Sequence, residues 1–94
     1  MEKVIARKKQ DMKVDFFNRN IKKFVLSLEK PTIAKVLRVL DLLEHFGHNL
    51  GMPHSKKIGV CLFELRVRGV QDVRFLYTFC KNFAIILHCF LKKS

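Results

Sequence analysis

The residues able to do chemistry gather in the last third of the chain, FELRVRGVQDVRFLYTFCKNFAIILHCFLKKS. Arg66, Arg68, Arg74, Lys81, Lys92 and Lys93 meet only two carboxylates there, Glu64 and Asp72. Guanidinium grips phosphate oxygens through a planar fork, so Arg66 and Arg74 suit the pentacoordinate phosphate formed when RNA is cut by its own 2′-hydroxyl. That chemistry also needs a base for the hydroxyl and an acid for the departing 5′-oxygen. Glu64 or His88 could be the base, and His88 or a lysine the acid. Lys56, Lys57, Arg68, Lys92 and Lys93 are candidates for attracting an RNA backbone. Each has a plainer reading. The arginines could only balance Glu64 and Asp72, Glu64 could be an ion-pair partner, His88 could be structural, and the lysines could be a solvated run.

These side chains need a sheet to hold them. From Ile58 onward the hydrophobic period is two. Cys61, Phe63, Leu65 and Val67 make one face of a strand, and Leu62, Glu64, Arg66 and Arg68 the other. A three-residue loop at Gly69-Val70-Gln71 sets Arg68 opposite Asp72 and Arg66 opposite Arg74. A two-residue turn would set Arg66 beside Phe75 and break the apolar face. Like charges directly opposite destabilise a sheet. Glu64, diagonal to Arg74, offsets part of this, and an anionic ligand is expected to supply the rest. The last strand, Ala84 to Leu91, has the wholly apolar face Ile85, Leu87, Cys89 and Leu91. Burying it places His88 on the open face with Arg66 and Arg74, which requires a three- or five-residue loop or a bulge near Lys81-Asn82. Tyr77 shares the face of Phe75, so packing is its expected role.

The upstream elements read as follows. Residues 3–8 alternate weakly as a first strand, and residues 11–15 read as a turn. Asn18 or Asn20 can cap a helix with Phe17, Ile21, Phe24 and Leu28 on one side. Pro31 opens a second helix whose buried stripe is Ile33, Val36, Leu37, Leu40 and Leu43, widened by Val39, Leu42 and Phe46. Gly47 stops it, and residues 47–57 form a loop. The result is an α+β fold, with an N-terminal strand and a helical hairpin packed on one face of a mainly antiparallel sheet.

Bulk properties bound the function. The 94 residues are expected to make one domain, 1–94. Hydrophobic content of 49 %, with nine Phe, excludes a disordered tail. The net charge of +11 points to RNA, DNA or ribosome as partner. The bases run the whole length rather than along one amphipathic helix, which argues against a membrane surface. No apolar run approaches the ~20 residues of a spanning helix, and MEKVIARKKQ has no signal core. Cys61, Cys80 and Cys89 are an odd set without paired spacing, read as small buried hydrophobes in a reducing compartment, so the protein is expected in the cytoplasm. His45, His48, His54 and Cys61 lack any accompanying CxxC or HExxH, and neither metal nor cofactor is expected.

The ordered set "FELR", then the Arg and Tyr of "VRFLY", then "ILHCFLKKS", preceded by two helices and "MPHSKK", resembles the RelE/ParE toxin superfamily, and within it the HigB-like, phage-derived branch of type II toxin–antitoxin toxins. The likeness covers nearly the whole chain. It implies a small α+β ribonuclease fold. RelE and HigB members cut mRNA, commonly on the ribosome, and are neutralised by a cognate antitoxin, whereas ParE members poison gyrase. By this likeness Arg66 and Arg74 match phosphate-binding arginines, and Lys92 and Lys93 a basic pair after the last strand. Glu64 lies on the catalytic-face strand, where some relatives carry lysine. His88 and Tyr77 match recurring positions to which no role is assigned. Relatives generally continue past "KKS" into a C-terminal helix. On that comparison the chain, which stops at Ser94, is either a trimmed toxin or a degenerate copy. An mRNA endoribonuclease is therefore the leading expectation, with a gyrase inhibitor or a non-catalytic remnant as alternatives.

Overall fold

The computed structural model describes residues 12–93. Strand β1 (Lys13–Phe16) leads into helices α1 (Arg19–Leu26) and α2 (Lys30–Phe46). After a 3-10 turn at Gly47–Asn49 come β2 (Ser55–Lys57), β3 (Phe63–Val67), β4 (Val73–Cys80) and β5 (Phe83–Leu91). The five strands form one sheet in the order β1-β5-β4-β3-β2. β1 runs parallel to β5, and the other pairs are antiparallel. This is the α+β architecture expected from the sequence.

The strand expected over residues 3–8 lies outside the described residues. The segment expected to turn is instead β1, in which Val14 and Phe16 alternate with Lys13 and Asp15. The long-range partners of β1 are not visible in its own four residues. Glu44 of α2 accepts from Val14 N through its side chain and from Met12 N through its carbonyl, each at 3.0 Å.

Asn18 caps α1, its side chain accepting from Ile21 N at 3.2 Å. Ile21, Val25 and Leu28 are buried, while Phe17 is 69 % exposed and so lies off the expected stripe. Pro31 sits in the first turn of α2, and Gly47 ends it with a φ of +54°, in the left-handed region that favours glycine. The buried side of α2 is Thr32, Val36, Val39, Leu40 and Leu43. Leu37 and Phe46, expected inside, are exposed. The stripe is centred on Val36, Leu40 and Leu43, which turns both residues outward.

These helical residues pack against Leu65, Val67, Val73, Phe75, Tyr77, Ala84 and Ile86 in one core. The opposite sheet face carries the candidate chemistry. The loop expected over 47–57 contains β2, whose Ser55–Lys57 pair with Phe63–Leu65. The expected buried cysteines are also corrected: Cys61 and Cys80 are exposed and Cys89 half-buried, all as free thiols. Among the described residues, no helix is long and apolar enough to cross a membrane.

Candidate functional site

Strand register fixes the site. Arg66 pairs directly with Arg74, and Val67 with Val73, as the hydrophobic parity required. The ladder closes there, so Arg68 and Asp72 fall in the connection between the strands rather than pairing across them. On the far side of β4, Arg74 faces Phe90 and Leu76 faces His88. Arg66, Arg74 and Phe90 thus form one cross-strand row, and Glu64, Leu76 and His88 the next, all on the open face. Lys56 joins the second row by pairing with Glu64, whereas Lys57 pairs with Phe63 and so takes the helix side.

His88 reaches this face by a route other than the one expected. The β4–β5 turn is a simple two-residue one, since Cys80 pairs with Phe83. Lys81 adopts a φ of 55° there. The parity change comes later. Leu76 pairs with His88 and Tyr77 with Ile86, leaving Leu87 as an extra residue inside the strand. Before this bulge Ala84 and Ile86 face the core, and after it Cys89 does. Burying Ile85 and Leu87 in one continuous apolar face is therefore corrected.

The electrostatics also differ from expectation. Arg74 is only 4 % exposed. Its Nε donates to Asp72 Oδ1 at 3.0 Å, its Nη2 to Asp72 Oδ2 at 3.4 Å, and its Nη1 to Glu64 Oε1 at 3.2 Å. Arg66 Nε donates to the same Glu64 oxygen at 3.1 Å. Two carboxylates therefore offset the two guanidinium groups, and no external anion is needed to hold them together. The hydrogen bond from Arg74, helped by its charge and by Arg68 and Lys92, holds the Asp72 carboxyl below its ordinary range against the opposing effect of desolvation. Asp72 in turn raises Arg74.

The two arginines are consequently unequal. Arg74 is bound through all three nitrogens. Arg66 is held only through Nε, and among the described residues its two terminal nitrogens have no protein partner. Arg66 can take an anion without breaking the pair with Glu64, whereas Arg74 cannot do so without leaving a carboxylate.

The remaining candidates scatter. His88 is exposed and stacks on Phe90, with ring centroids 5.9 Å apart and planes 28° apart. It stands two strands from Glu64, roughly 10 Å at the backbone, a gap that a nucleotide could span but a direct hydrogen bond could not. Lys92 and Lys93 are exposed beyond β5, and Lys92 N donates to Asp72 O at 2.7 Å. Arg68 borders a cleft against α2. Tyr77 is buried at 1 % exposure and bonded to Ser55, a packing role as expected. Phe90 was not singled out from the sequence. Its signal was present, because the bulge that brings His88 outward also sets Phe90 opposite Arg74.

The fold is RelE-like. The chain belongs to the family described as "Phage derived protein Gp49-like", whose profile matches residues 23–94. It is similar in structure to a chain of the archaeal RelE–RelB complex from Pyrococcus horikoshii OT3, with a TM-score of 0.58 and 19 % identity over 84 % of this chain and 92 % of that one. No curated protein matches the chain significantly.

Proposed function

We propose that this chain is the toxin of a type II toxin–antitoxin pair, of the HigB-like branch, and acts in the cytoplasm as a metal-independent endoribonuclease on ribosome-associated mRNA. Arg66 is the phosphate ligand, and the observation that carries the reading is its guanidinium: anchored at Nε, without a partner at either terminal nitrogen among the described residues, and fixed on the open face of a rigid sheet. Arg74 positions Arg66 through Glu64 rather than gripping substrate. His88 supplies or accepts a proton, Phe90 beside it offers a stacking surface, and Lys56, Lys92 and Lys93 draw in the RNA backbone. Membership in the Gp49-like family and the likeness to RelE support this reading. The similar structure was solved with RelB, which supports an antitoxin as partner here.

One observation favours a second reading. Glu64 Oε1 is committed to two arginines, so Glu64 is a poor free base, and the site loses one of its two candidates for that role. A binding module without chemistry, either a ParE-like gyrase inhibitor or a remnant that only engages its antitoxin, follows from that loss.

Induced expression with mapping of transcript 5′ ends separates the two. New ends inside translated messages, absent with Arg66→Ala, are the expected result. Intact messages beside a growth-arresting wild-type protein overturn the nuclease reading, and lost supercoiling would then identify gyrase.

A further inference from the structure

With one oxygen of Glu64 serving two arginines, the proposed reaction lacks a free base beside Arg66. Strand register supplies another candidate. β2 and β3 pair as Lys57 with Phe63, Lys56 with Glu64 and Ser55 with Leu65. One step further along the same ladder, Arg66 N donates to His54 O at 2.8 Å. His54 therefore stands directly opposite Arg66, about 5.5 Å away between Cα atoms, whereas His88 lies two strands from Arg66. A tight turn fixes its backbone: His54 N and Ser55 N both donate to Gly51 O, at 3.0 and 3.1 Å. The next residue, Ser55, is buried and bonded to Tyr77. His54 is half-buried and, together with Arg66, lines a cleft of about 420 Å³ between α2 and the end of β3. Lys35, Arg38 and Arg68 line it too, and no carboxylate does among the described residues. The cleft is thus continuous with the open-face site, since Arg66 belongs to both, and its cations favour a phosphate beside His54.

We propose that His54 is the general base of the cleavage, a role that rests on the nuclease reading above. Its imidazole takes the proton of the substrate's 2′-hydroxyl. The 2′-oxygen bonds to the adjacent phosphorus, and the bond from that phosphorus to the 5′-oxygen breaks. His88 gives the departing oxygen its proton. The products are a 2′,3′-cyclic phosphate and a 5′-hydroxyl. Arg66, on a strand between the two histidines, holds the phosphate. Three strand spacings and a two-residue offset separate His54 from His88, roughly 16 Å at the backbone, a span that two imidazoles and the phosphodiester between them can fill.

The test uses the full chain, ribosomes and a defined message, with single-turnover cleavage as the readout. His54→Ala and His54→Gln should each slow cleavage by about 10²–10⁴-fold, and circular dichroism checks that each is folded. Added imidazole should restore part of the loss in His54→Ala. A message with sulfur in place of the departing 5′-oxygen separates base from acid, because a thiolate leaves without a proton. A variant that lacks the acid recovers on such a substrate, whereas His54→Ala should stay slow. Recovery of His54→Ala there would make His54 the acid and overturn the assignment. Wild-type rates in folded His54→Ala or His54→Gln overturn it as well, and leave the nuclease reading standing. If the wild-type chain cuts no message, the nuclease reading fails and the base with it.

Discussion

Arg66 and Arg74 stand directly opposite one another on β3 and β4, and a single oxygen of Glu64 accepts from both, at 3.1 and 3.2 Å. Direct opposition of like charges costs sheet stability, and here the bridging carboxylate offsets it. Asp72 completes the arrangement by closing two further bonds to Arg74. Two residues of the same type on one face thereby take different duties. One is a buried strut and the other a tethered, accessible cation.

Arg74→Ala should therefore act on stability first. Removing one partner of a buried pair leaves uncompensated charge and costs about 3 kcal/mol. For a domain of this size that lowers Tm by roughly 12–24 °C, which calorimetry or thermal circular dichroism would detect. A Tm within a few degrees of wild type would show that the strut carries little.

Arg66→Ala should act on function. Among the described residues its side chain makes one bond, and it is partly exposed, so Tm should fall by no more than about 5 °C, consistent with a pair worth under 1 kcal/mol. Cleavage of translated mRNA should be lost, and Arg66→Lys should restore little of it, because an ammonium cannot copy a planar fork. Full activity in Arg66→Lys would point to simple charge rather than bidentate geometry.

His88→Ala should leave folding intact and slow cleavage by about 10²–10⁴-fold, the usual share of one general acid or base. His88→Gln, which keeps a polar planar group without the titration, should be equally slow. Restored cleavage in the glutamine variant would reduce His88 to a contact residue.

Acid should unfold the protein partly through Asp72. Its carboxyl is held below the ordinary range, mainly by the hydrogen bond from Arg74. A depressed acid contributes stability that is complete above its unfolded pKa, about 4, and lost as pH falls through the lower folded value. Asp72→Asn should thus be less stable than wild type at pH 7, with the difference shrinking below about pH 4. Denaturant melts across that range would read it, and a constant gap at every pH would contradict the assignment.

Tyr77 is the single tyrosine in a chain without Trp, so its titration can be read directly. Burial raises its pKa, against the opposing pull of the Ser55 hydrogen bond. The stability from its neutral form is present below the unfolded value, about 10, and lost as pH rises through the folded one. Tyrosinate absorbance should therefore appear above pH 10, together with loss of structure. Tyr77→Phe should cost about 1–2 kcal/mol by stranding the buried Ser55 hydroxyl, now bonded at 2.6 Å.

The sequence made the β3–β4 pairing legible because its constraint is local: only one register keeps Leu65, Val67, Val73 and Phe75 on one face. It made the cap at Asn18 and the stop at Gly47 legible for the same reason. β1 was not legible, because four alternating residues acquire a strand only by pairing with Phe83–Ile86 of β5, far along the chain. The neutralisation of Arg74 was half legible. Asp72 and Glu64 were present in the count, but a tally of charges does not reveal that both turn toward the same guanidinium. The cleft beside α2 was hidden altogether, since Lys35, Arg38 and Arg68 converge only after the helix is laid against the sheet.

The unpaired Leu87 makes β5 a strand with two phases. Upstream of it even-numbered positions point inward, and downstream odd-numbered ones do. Substituting that leucine would cost only its own packing. Deleting it would rotate everything after it by half a turn, driving His88 and Phe90 toward the helices and Cys89 to the outside. The layout of the exposed face thus depends on how many residues β5 contains, more than on which residue stands at the irregular point.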